Sequence, residues 1–507
     1  MELTTDEFLE NIGSFGLYQI LLNIFLNLGF MFWWGMSVMV MVFVTAEPGW
    51  KCKNNSTTCP FTETISLGGQ NYSYRCDIPR EDWQFVDDFT SVVTEFDLVC
   101  ERGSLGFVST SVIFAGFFVG GIFVSSISDK FGRKKPMYIC GCLCCIFNFV
   151  SAFAPAFWVF ALFRAIVGFM IGAFSIPMFV LATELSGIRH RSTAGSLIWV
   201  GFVAGAFMGL AGIAYLIRDW KHLMMVTGAP GFLLMAGWFV TPESVRWLLK
   251  KGRVFEARHI LSKVAKVNGK EMPDAALKLP SNERLGDIRD LFSSAKMTHK
   301  ILAAWFMWFN ASFISWATTF TAPFLGGNIY INVLVSGAAI LPAYPINAAL
   351  TLKFGRKKII VVSFIVSAVG AIGALLLSDK AENDNGYLAG KIFMSMFLAK
   401  LGGEIAFIAV YVYSAELFPT TLRSVAMGTS TASCPSERLT VHLFLPFAIM
   451  AGLALTAAIV CMTLPETYNQ PTMEDLGGKY GQDEKEKENG NKNDNYGDET
   501  TPLETLA

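Results

Sequence analysis

The sequence predicts an all-α membrane protein that crosses the bilayer many times and is built from two similar halves. Of its 507 residues, 53% are hydrophobic and 16% are charged, whereas about 25% of the residues of a soluble domain are charged. Apolar runs of about 20 residues, the length that spans a bilayer as a helix, recur along the chain. The basic turn SDKFGRKK at residues 128–135 returns as KFGRKK at residues 353–358. A cationic turn between apolar spans, repeated at half-length, is typical of two related helix bundles.

Eleven apolar runs are clear enough to be predicted as membrane-spanning helices. They lie near residues 17–45, 103–128, 136–157, 158–183, 193–217, 222–241, 300–322, 328–352, 358–377, 386–416 and 446–464. Residues 1–241 therefore form a first bundle and residues 300–464 a second. Residues 242–299 between them are rich in Lys and Arg, which predicts a cytoplasmic linker. Because six spans precede this linker, the N-terminus is also predicted to be cytoplasmic. The polar tail at residues 465–507 is predicted to be disordered and cytoplasmic.

The loop at residues 46–102 is predicted to lie outside the cell, since it carries twice as many acidic as basic residues. It contains an even number of cysteines in an oxidising compartment, which favours two disulfides whose connectivity the sequence leaves open. It also contains glycosylation sequons. The cysteines are Cys52, Cys59, Cys76 and Cys100, and the acceptor residues are Asn55 and Asn71.

Charged residues at predicted helix ends suggest a gate in each half. A Glu ends the fourth and the tenth span, and each is followed by an Arg seven residues later. These carboxylates can pair with the basic turn of their own half. Ion pairs at an aqueous rim contribute about 0–1 kcal/mol each, which suits a gate that opens and closes. The predicted gating residues are Asp129, Arg133, Glu184 and Arg191 in the first half and Arg356, Glu416 and Arg423 in the second.

Several longer motifs are spread over nearly the whole chain. They are DKFGRK (129–134), ATEL (182–185), PESVRWLLKKGR (242–253), YSAELFPTTLR (413–423) and LPET (464–467), with EFDLVC (95–100), AYLIRDW (214–220) and GTSTAS (428–433). The first five together resemble the major facilitator superfamily. With the last three, the chain is similar to the organic cation, carnitine and organic anion transporter family. The resemblance implies two six-helix bundles in the plasma membrane and alternating access around a site lined by helices 1, 4, 7 and 10.

The seventh and tenth predicted helices supply candidate substrate-binding residues. Phe313 and Trp316 are one helical turn apart, and Glu404 and Tyr411 are two turns apart, so each pair shares a face. A carboxylate with aromatic walls suits an organic ammonium, because ring faces attract cations by about 0.5–2 kcal/mol each. Two alternatives stay open. Phe313 and Trp316 could simply pack against neighbours, and Lys400, four residues before Glu404, could pair with it and cancel its charge.

Three departures from the family pattern affect the gate and the substrate site. Ile340 stands where cation-handling members usually carry a Glu. Leu352 replaces the acid expected before the second basic turn, so the second gate is expected to be weaker than the first. After GTSTAS, only about a dozen residues precede residues 445–446, and they include Pro435 and several ionisable side chains. Helix 11 is therefore predicted to be short or broken.

The expected function is the transport of small organic cations or carnitine-like zwitterions, with the lipid bilayer and the substrate as partners. A zwitterion gains nothing from the membrane potential and would need a coupled ion. The alternatives are an organic anion exchanger, for which Lys400 is the only candidate cavity base, or a transport-incompetent protein with a truncated helix 11. The sequence contains no metal-ligand spacing and no nucleophile–base set, so neither enzyme activity, cofactor nor metal is predicted. Basic residues scattered over membrane-flanking loops predict no nucleic-acid partner.

Overall fold

The computed structural model of the chain describes residues 2–54, 56, 58–65, 71–86, 88–187, 190, 204–278, 292, 294–381, 384–418 and 445–467. Within these ranges nine helices are long and apolar enough to cross a membrane, and Ala206–Leu216 and Pro446–Met462 are shorter apolar helices. Each of them overlaps one of the eleven predicted spans. The segment predicted as helix 11 and most of the polar tail lie outside the described residues.

The first half begins with β1 (Glu2–Leu3), α1 (Thr5–Asn11) and α2 (Leu17–Val44), followed by β2 (Trp50–Cys52), β3 (Trp83–Phe85) and α3 (Val92–Glu95). It continues with α4 (Ser104–Phe131), α5 (Lys134–Val150), α6 (Phe157–Glu184), α7 (Leu210–Leu216) and α8 (Trp220–Gly228). A π-helical turn at Phe25–Met31 lies within α2, another at Ala204–Gly209 precedes α7, and α8 continues as a 3₁₀ helix at Ala229–Phe239.

The linker contributes α9 (Val245–Lys250), α10 (Val254–Val267) and β4 (Ala276–Leu277). The second half consists of α11 (Ala295–Phe320), α12 (Ile329–Phe354), α13 (Arg356–Leu377), α14 (Asn385–Ile392), α15 (Lys400–Leu417) and α16 (Leu445–Met462). The π-helical segment Phe393–Ala399 joins α14 to α15. These helices form the fold's second bundle.

Small residues allow two helices of the first bundle to cross in close contact. Gly116 and Gly120 on α4 face Gly168 and Gly172 on α6. A Cβ atom at Gly120 would lie 2.0 Å from the carbonyl oxygen of Phe169, and one at Gly168 would come equally close to the backbone of α4. In a membrane no hydrophobic effect drives helices together, because lipid tails are as apolar as the side chains. The small-xxx-small pattern instead lets the two backbones approach closely enough for van der Waals packing. Larger residues here would push α4 and α6 apart.

The bundle has two distinct ends. We call the end that carries residues 46–102 the loop face, and the opposite end, which carries the basic turns and the linker, the latch face. Each basic turn contains a glycine with positive φ, at +97° for Gly132 and +83° for Gly355. Only glycine adopts this conformation at little cost. The glycines therefore permit the sharp reversals between α4 and α5 and between α12 and α13.

The N-terminal segment packs on the linker at the latch face. β1 pairs in parallel with β4, and a capping box that joins Thr4 and Glu7 starts α1. Phe8 and Leu9 of α1 are fully buried. The side-chain amide of Asn268 accepts from the backbone N–H of Tyr18 at 2.9 Å. These contacts tie the linker to the beginning of α2.

The loop at residues 46–102 has a small core of its own and is fastened to the first bundle. β2 pairs with β3 in antiparallel fashion, and Trp50 and Trp83 are almost fully buried between them and the surrounding loop. Thr90 donates its hydroxyl to Asp219 in the turn between α7 and α8 at 3.0 Å. The two small sheets were not predicted from the sequence, but they lie outside the spanning helices and leave the predicted architecture unchanged.

Candidate functional site

The basic turn between α4 and α5 contacts two carboxylates at the latch face. Arg133 Nε lies 3.7 Å from Glu184 Oε2 at the end of α6, and Arg133 Nη1 donates to the carbonyl oxygen of Ser128 at 3.0 Å. Glu243, at the start of the linker, accepts the backbone N–H groups of Arg133 at 2.8 Å and Lys134 at 3.2 Å. These are N–H groups of the first turn of α5, which lack intrahelical partners. A carboxylate at this position stabilises the helix N-terminus.

The second half repeats this arrangement of a basic turn in contact with two carboxylates. We call this set of contacts the latch of each half. Arg356 Nη2 lies 3.0 Å from Glu416 Oε1. Glu466 accepts the backbone N–H of Arg356 at 3.0 Å, and Thr467 Oγ1 donates to the second oxygen of Glu416 at 2.7 Å. In the first half, the hydroxyl of Ser244 makes the equivalent contact with the glutamate at the end of α6. Each latch therefore joins a basic turn, a helix end and the residues that follow the last helix of its half.

The structure brings together the Arg and Glu of each predicted gate. The second pair is shorter than the first, at 3.0 Å against 3.7 Å, although Leu352 had suggested the weaker gate in the second half. The four side chains are 13–25% exposed, so they are better shielded from water than pairs at an open rim. The side chain of Asp129 and the whole of Arg191 and Arg423 lie outside the described residues.

A cluster of polar side chains lies within the second half, where it meets the first. Lys400 Nζ lies 3.1 Å from Glu404 Oε1 and donates to the carbonyl oxygen of Ser315 at 2.5 Å and to Thr319 Oγ1 at 2.9 Å. The Ser315 hydroxyl donates to Glu404. The side chains of Lys400 and Glu404 are 1% and 9% exposed. Lys400 Nζ also lies 5.0 Å from the ring centroid of Phe207 in the first half, so the cluster reaches the boundary between the halves.

The two aromatic residues predicted on α11 have different surroundings. Phe313 is 4% exposed and stacks on Phe309, with 6.1 Å between the ring centroids. Trp316 is half-buried and packs edge-on against Phe114 of the first half, at 5.0 Å. Phe313 is thus a packed core residue, whereas Trp316 lies at the boundary between the halves.

Aromatic contacts join the two halves near both faces. Near the loop face, Phe43 of α2 stacks on Tyr330 of α12, with ring centroids 5.6 Å apart. Near the latch face, Phe179 of α6 meets Tyr411 of α15 at 5.5 Å, and Tyr411 also packs against Trp308 at 5.6 Å. The fourth predicted site residue therefore lies in a cross-half contact rather than beside Glu404. The cluster around Glu404 lies between these two sets of contacts.

Two disulfides stabilise the loop at residues 46–102. Asn71 is exposed, as a glycan acceptor must be, and Asn55 lies outside the described residues. Burial raises the pKa of the neighbouring Tyr72 phenol well above its ordinary range, so the phenol stays neutral in the loop core. The disulfides join Cys52 with Cys59 and Cys76 with Cys100.

The sequence that forms the two bundles and their latches matches the model of a known family. The family model described as "Sugar (and other) transporter" matches residues 28–474. The chain belongs to this transporter family. Solute carrier family 22 member 15 of Xenopus tropicalis is 30% identical to this transporter over 492 residues, which cover 93% of the chain and 90% of that protein. The family predicted from the motifs is thereby confirmed.

Further relatives and a solved structure agree with this assignment. Organic cation/carnitine transporter 2 of Homo sapiens is 31% identical to the transporter over 413 residues, 77% of this chain and 72% of that protein. The inward-open xylose transporter XylE of E. coli superposes with a TM-score of 0.63 at 15% identity, covering 90% of this chain and 98% of that one. At that identity XylE supports the major facilitator fold alone. The chain is thus a multi-pass membrane transporter and not an enzyme.

Reasoning from the sequence missed Glu243 and Glu466, which hold the two basic turns of the transporter. Both stand in a Pro-Glu-Ser or Pro-Glu-Thr triplet, and the same number of positions separates them as separates Arg133 from Arg356. That shared spacing was the available signal. Within the described residues, no three His, Cys, Asp or Glu side chains are grouped so that they could hold a metal ion.

Proposed function

We propose that the transporter carries small organic cations or carnitine-like zwitterions across the plasma membrane by alternating access. The buried pair of Lys400 and Glu404 at the boundary between the halves is the observation that carries this proposal. Relatives named as organic cation or carnitine transporters support the substrate class, among them the human protein and the "Organic cation transporter protein" of Drosophila melanogaster, which is 28% identical over 93% of each chain. We place the loop face outside the cell and the latch face in the cytoplasm, as the positive-inside rule predicts.

The contacts of Glu404 support a role in binding a cation. The described hydrogen bond and ion pair of its carboxylate, with Ser315 and Lys400, both involve Oε1. The second oxygen, Oε2, is therefore the acceptor that a positively charged ligand would approach. A buried ionisable group inside a membrane protein is costly and usually functional. An arriving ammonium group would compete with Lys400 for the same carboxylate, so binding is coupled to loosening of the internal pair.

The contacts of Lys400 oppose the alternative of an organic anion exchanger. An ammonium group has three N–H donors, and Lys400 Nζ already has acceptors in Ser315, Thr319 and Glu404. An anionic substrate would therefore have to displace existing partners. A zwitterion is different, because its ammonium group on Glu404 would free the Lys400 donor that pairs with this carboxylate, and the zwitterion's own carboxylate could then accept from it. It would also need a coupled ion to accumulate, since its net charge is zero.

Uptake by cells that express Glu404→Gln tests the proposal. We expect uptake of a labelled quaternary ammonium to fall about ten-fold or more, because Gln removes the negative charge that attracts the cation. Asp379→Asn, an exposed carboxylate at the loop face, is the matched control and should leave uptake unchanged. The double variant Lys400→Met with Glu404→Leu removes the whole pair. If this double variant recovers cation uptake, the pair serves folding, and Glu404 is not the site.

A further inference from the structure

A chamber lined by aromatic rings lies near the loop face, between the two halves. Its cavity volume is about 50 Å³, and it is open on one side. Its walls come from the outer ends of α2, α4 and α11 and from the turn that follows α11. The side chains that define it are Phe107, Thr110 and Phe114 on α4 and Trp316, Phe320 and Phe324 in and after α11.

The rings of the chamber are arranged so that several faces and edges converge from both halves. Phe114 meets Trp316 at 5.0 Å and Phe320 at 5.9 Å, in both cases edge to face. Trp316 and Phe320 stack at 6.2 Å, and Phe107 meets Phe324 at 5.8 Å. All five rings are half-buried, which leaves part of each ring surface open to the chamber. Such a group of rings presents negative π-faces to a ligand.

The chamber has no charged side chain among its described lining residues. One of its hydroxyls, that of Thr45, already donates to the carbonyl oxygen of Met41 at 2.7 Å. A strongly hydrated ion would therefore lose its water without replacement, and an anion would meet the negative faces of the rings. A weakly hydrated cation with apolar substituents satisfies both conditions. The acidic loop at residues 46–102 lies at the same face, and its net negative charge raises the local concentration of cations.

We propose that this chamber is a second binding site, for organic cations with apolar substituents such as quaternary ammonium groups, at the entrance of the transporter. This inference adds a second site to the proposed function, and it rests on the proposed function for the direction of transport. The chamber and the Glu404 cluster share α11, since Trp316 directly follows Ser315. A cation that leaves the chamber therefore has a short path along one helix to Glu404. Because the rings belong to both halves, occupancy is also linked to whether the loop face is open.

Isothermal titration of the purified full-length protein in lipid nanodiscs tests the site without requiring transport. The probes are phenyltrimethylammonium and benzenesulfonate, which are similar in size and opposite in charge. We expect the cation to bind and benzenesulfonate not to bind. Phe114→Leu should weaken the cation's affinity by about two- to thirty-fold, the range that one ring contributes. Phe118→Leu, one turn along α4 and 43% exposed, is the control and should bind as the unaltered protein does.

Further variants separate the chamber from the Glu404 cluster. Phe320→Leu should weaken binding as Phe114→Leu does, and it replaces Phe114→Leu in the test if that variant fails to fold. Phe114→Tyr should retain affinity because it keeps the ring. Glu404→Gln should still bind phenyltrimethylammonium, because Glu404 does not line the chamber. Equal binding of both probes, equal affinities of Phe114→Leu and Phe118→Leu, or loss of all binding in Glu404→Gln would overturn the inference. Binding without uptake of any cation or zwitterion would instead overturn the proposed function and leave the chamber as a binding site.

Discussion

Replacing Glu243 by Gln should slow transport while the protein still reaches the membrane. Its carboxylate accepts the backbone N–H groups of Arg133, Lys134 and Ser244 at 2.8, 3.2 and 2.9 Å. Hydrogen bonds to a charged acceptor contribute about 1.5–3 kcal/mol and those to a neutral one about 0.5–1.5 kcal/mol. The amide keeps one acceptor oxygen, so we expect a loss of about 2 kcal/mol in any state that contains the latch. If the latch forms in only one of the alternating states, their ratio shifts about 30-fold.

The assay is initial uptake divided by the surface abundance of each variant. Glu256→Gln is the matched control, because Glu256 also pairs with an arginine of the linker, Arg253, at 2.6 Å, but both side chains are about half exposed. Exposed pairs contribute about 0–1 kcal/mol, so this control should transport normally. Equal uptake per molecule in Glu243→Gln and Glu256→Gln would refute a gating role for the latch. A fall in abundance that matches the fall in uptake would show that the contact serves folding.

A pair of glycine substitutions tests the same contact independently. A Cβ atom at Gly132 would lie 2.3 Å from Glu243 Oε2. Gly252 has a similar positive φ of +73°, with nothing within 4 Å of the added atom. Gly132 has a ψ of 170°, which places it in a backbone region that is essentially restricted to glycine. Alanine at either position therefore carries backbone strain of about 1–3 kcal/mol, but only Gly132→Ala also displaces the carboxylate. Gly132→Ala should lower uptake per molecule more than Gly252→Ala does, and equal effects of the two variants would contradict a role of this contact in transport.

Three further predictions concern the loop and the tail. Alkylation of the unreduced protein should leave Cys76 and Cys100 unmodified, and recovery of either as an alkylated thiol would contradict their pairing. Asn71→Gln should reduce a glycosidase-sensitive mobility shift, because this exposed residue lies on the face that we place outside. If glycosidase leaves the mobility of the unaltered protein unchanged, that placement loses its support. An epitope tag at Ala507 should stain only permeabilised cells, and staining of intact cells would mean that the last helix inserts in the opposite direction.

Local spacing explains most of what the sequence predicted correctly. The spans follow from runs of apolar residues, whose length is fixed by the bilayer. Lys400 and Glu404 are four residues apart on a helix, so their pairing follows from helical geometry alone. The Arg133 and Glu184 contact was predicted because both residues flank spans that end at the same face. Each of these inferences uses only the geometry of a single helix or the side of the membrane on which a helix ends.

The contacts that escaped prediction depend on how separate helices pack. Glu243 reaches the N–H of Arg133 across 110 positions of sequence, and Ser315 reaches Lys400 across 85. No periodicity within either segment encodes these distances. The aromatic residues illustrate the same limit, because a helical pattern places Phe313 and Trp316 on α11 but does not identify the first-half ring that meets Trp316. Side-chain direction relative to other helices was therefore the missing information.

We propose that the transporter recognises a positive charge and moves it through the membrane. Uptake of a labelled quaternary ammonium into proteoliposomes, with a potassium diffusion potential imposed, is the direct test. A monovalent cation gains about 2.3 kcal/mol per 100 mV, so an interior-negative potential of that size should produce roughly 50-fold accumulation. Reversing the potential should reverse the gradient. If an aromatic carboxylate is taken up, while neither the ammonium compound nor a trimethylammonium carboxylate is taken up at either polarity, the proposed substrate class is wrong.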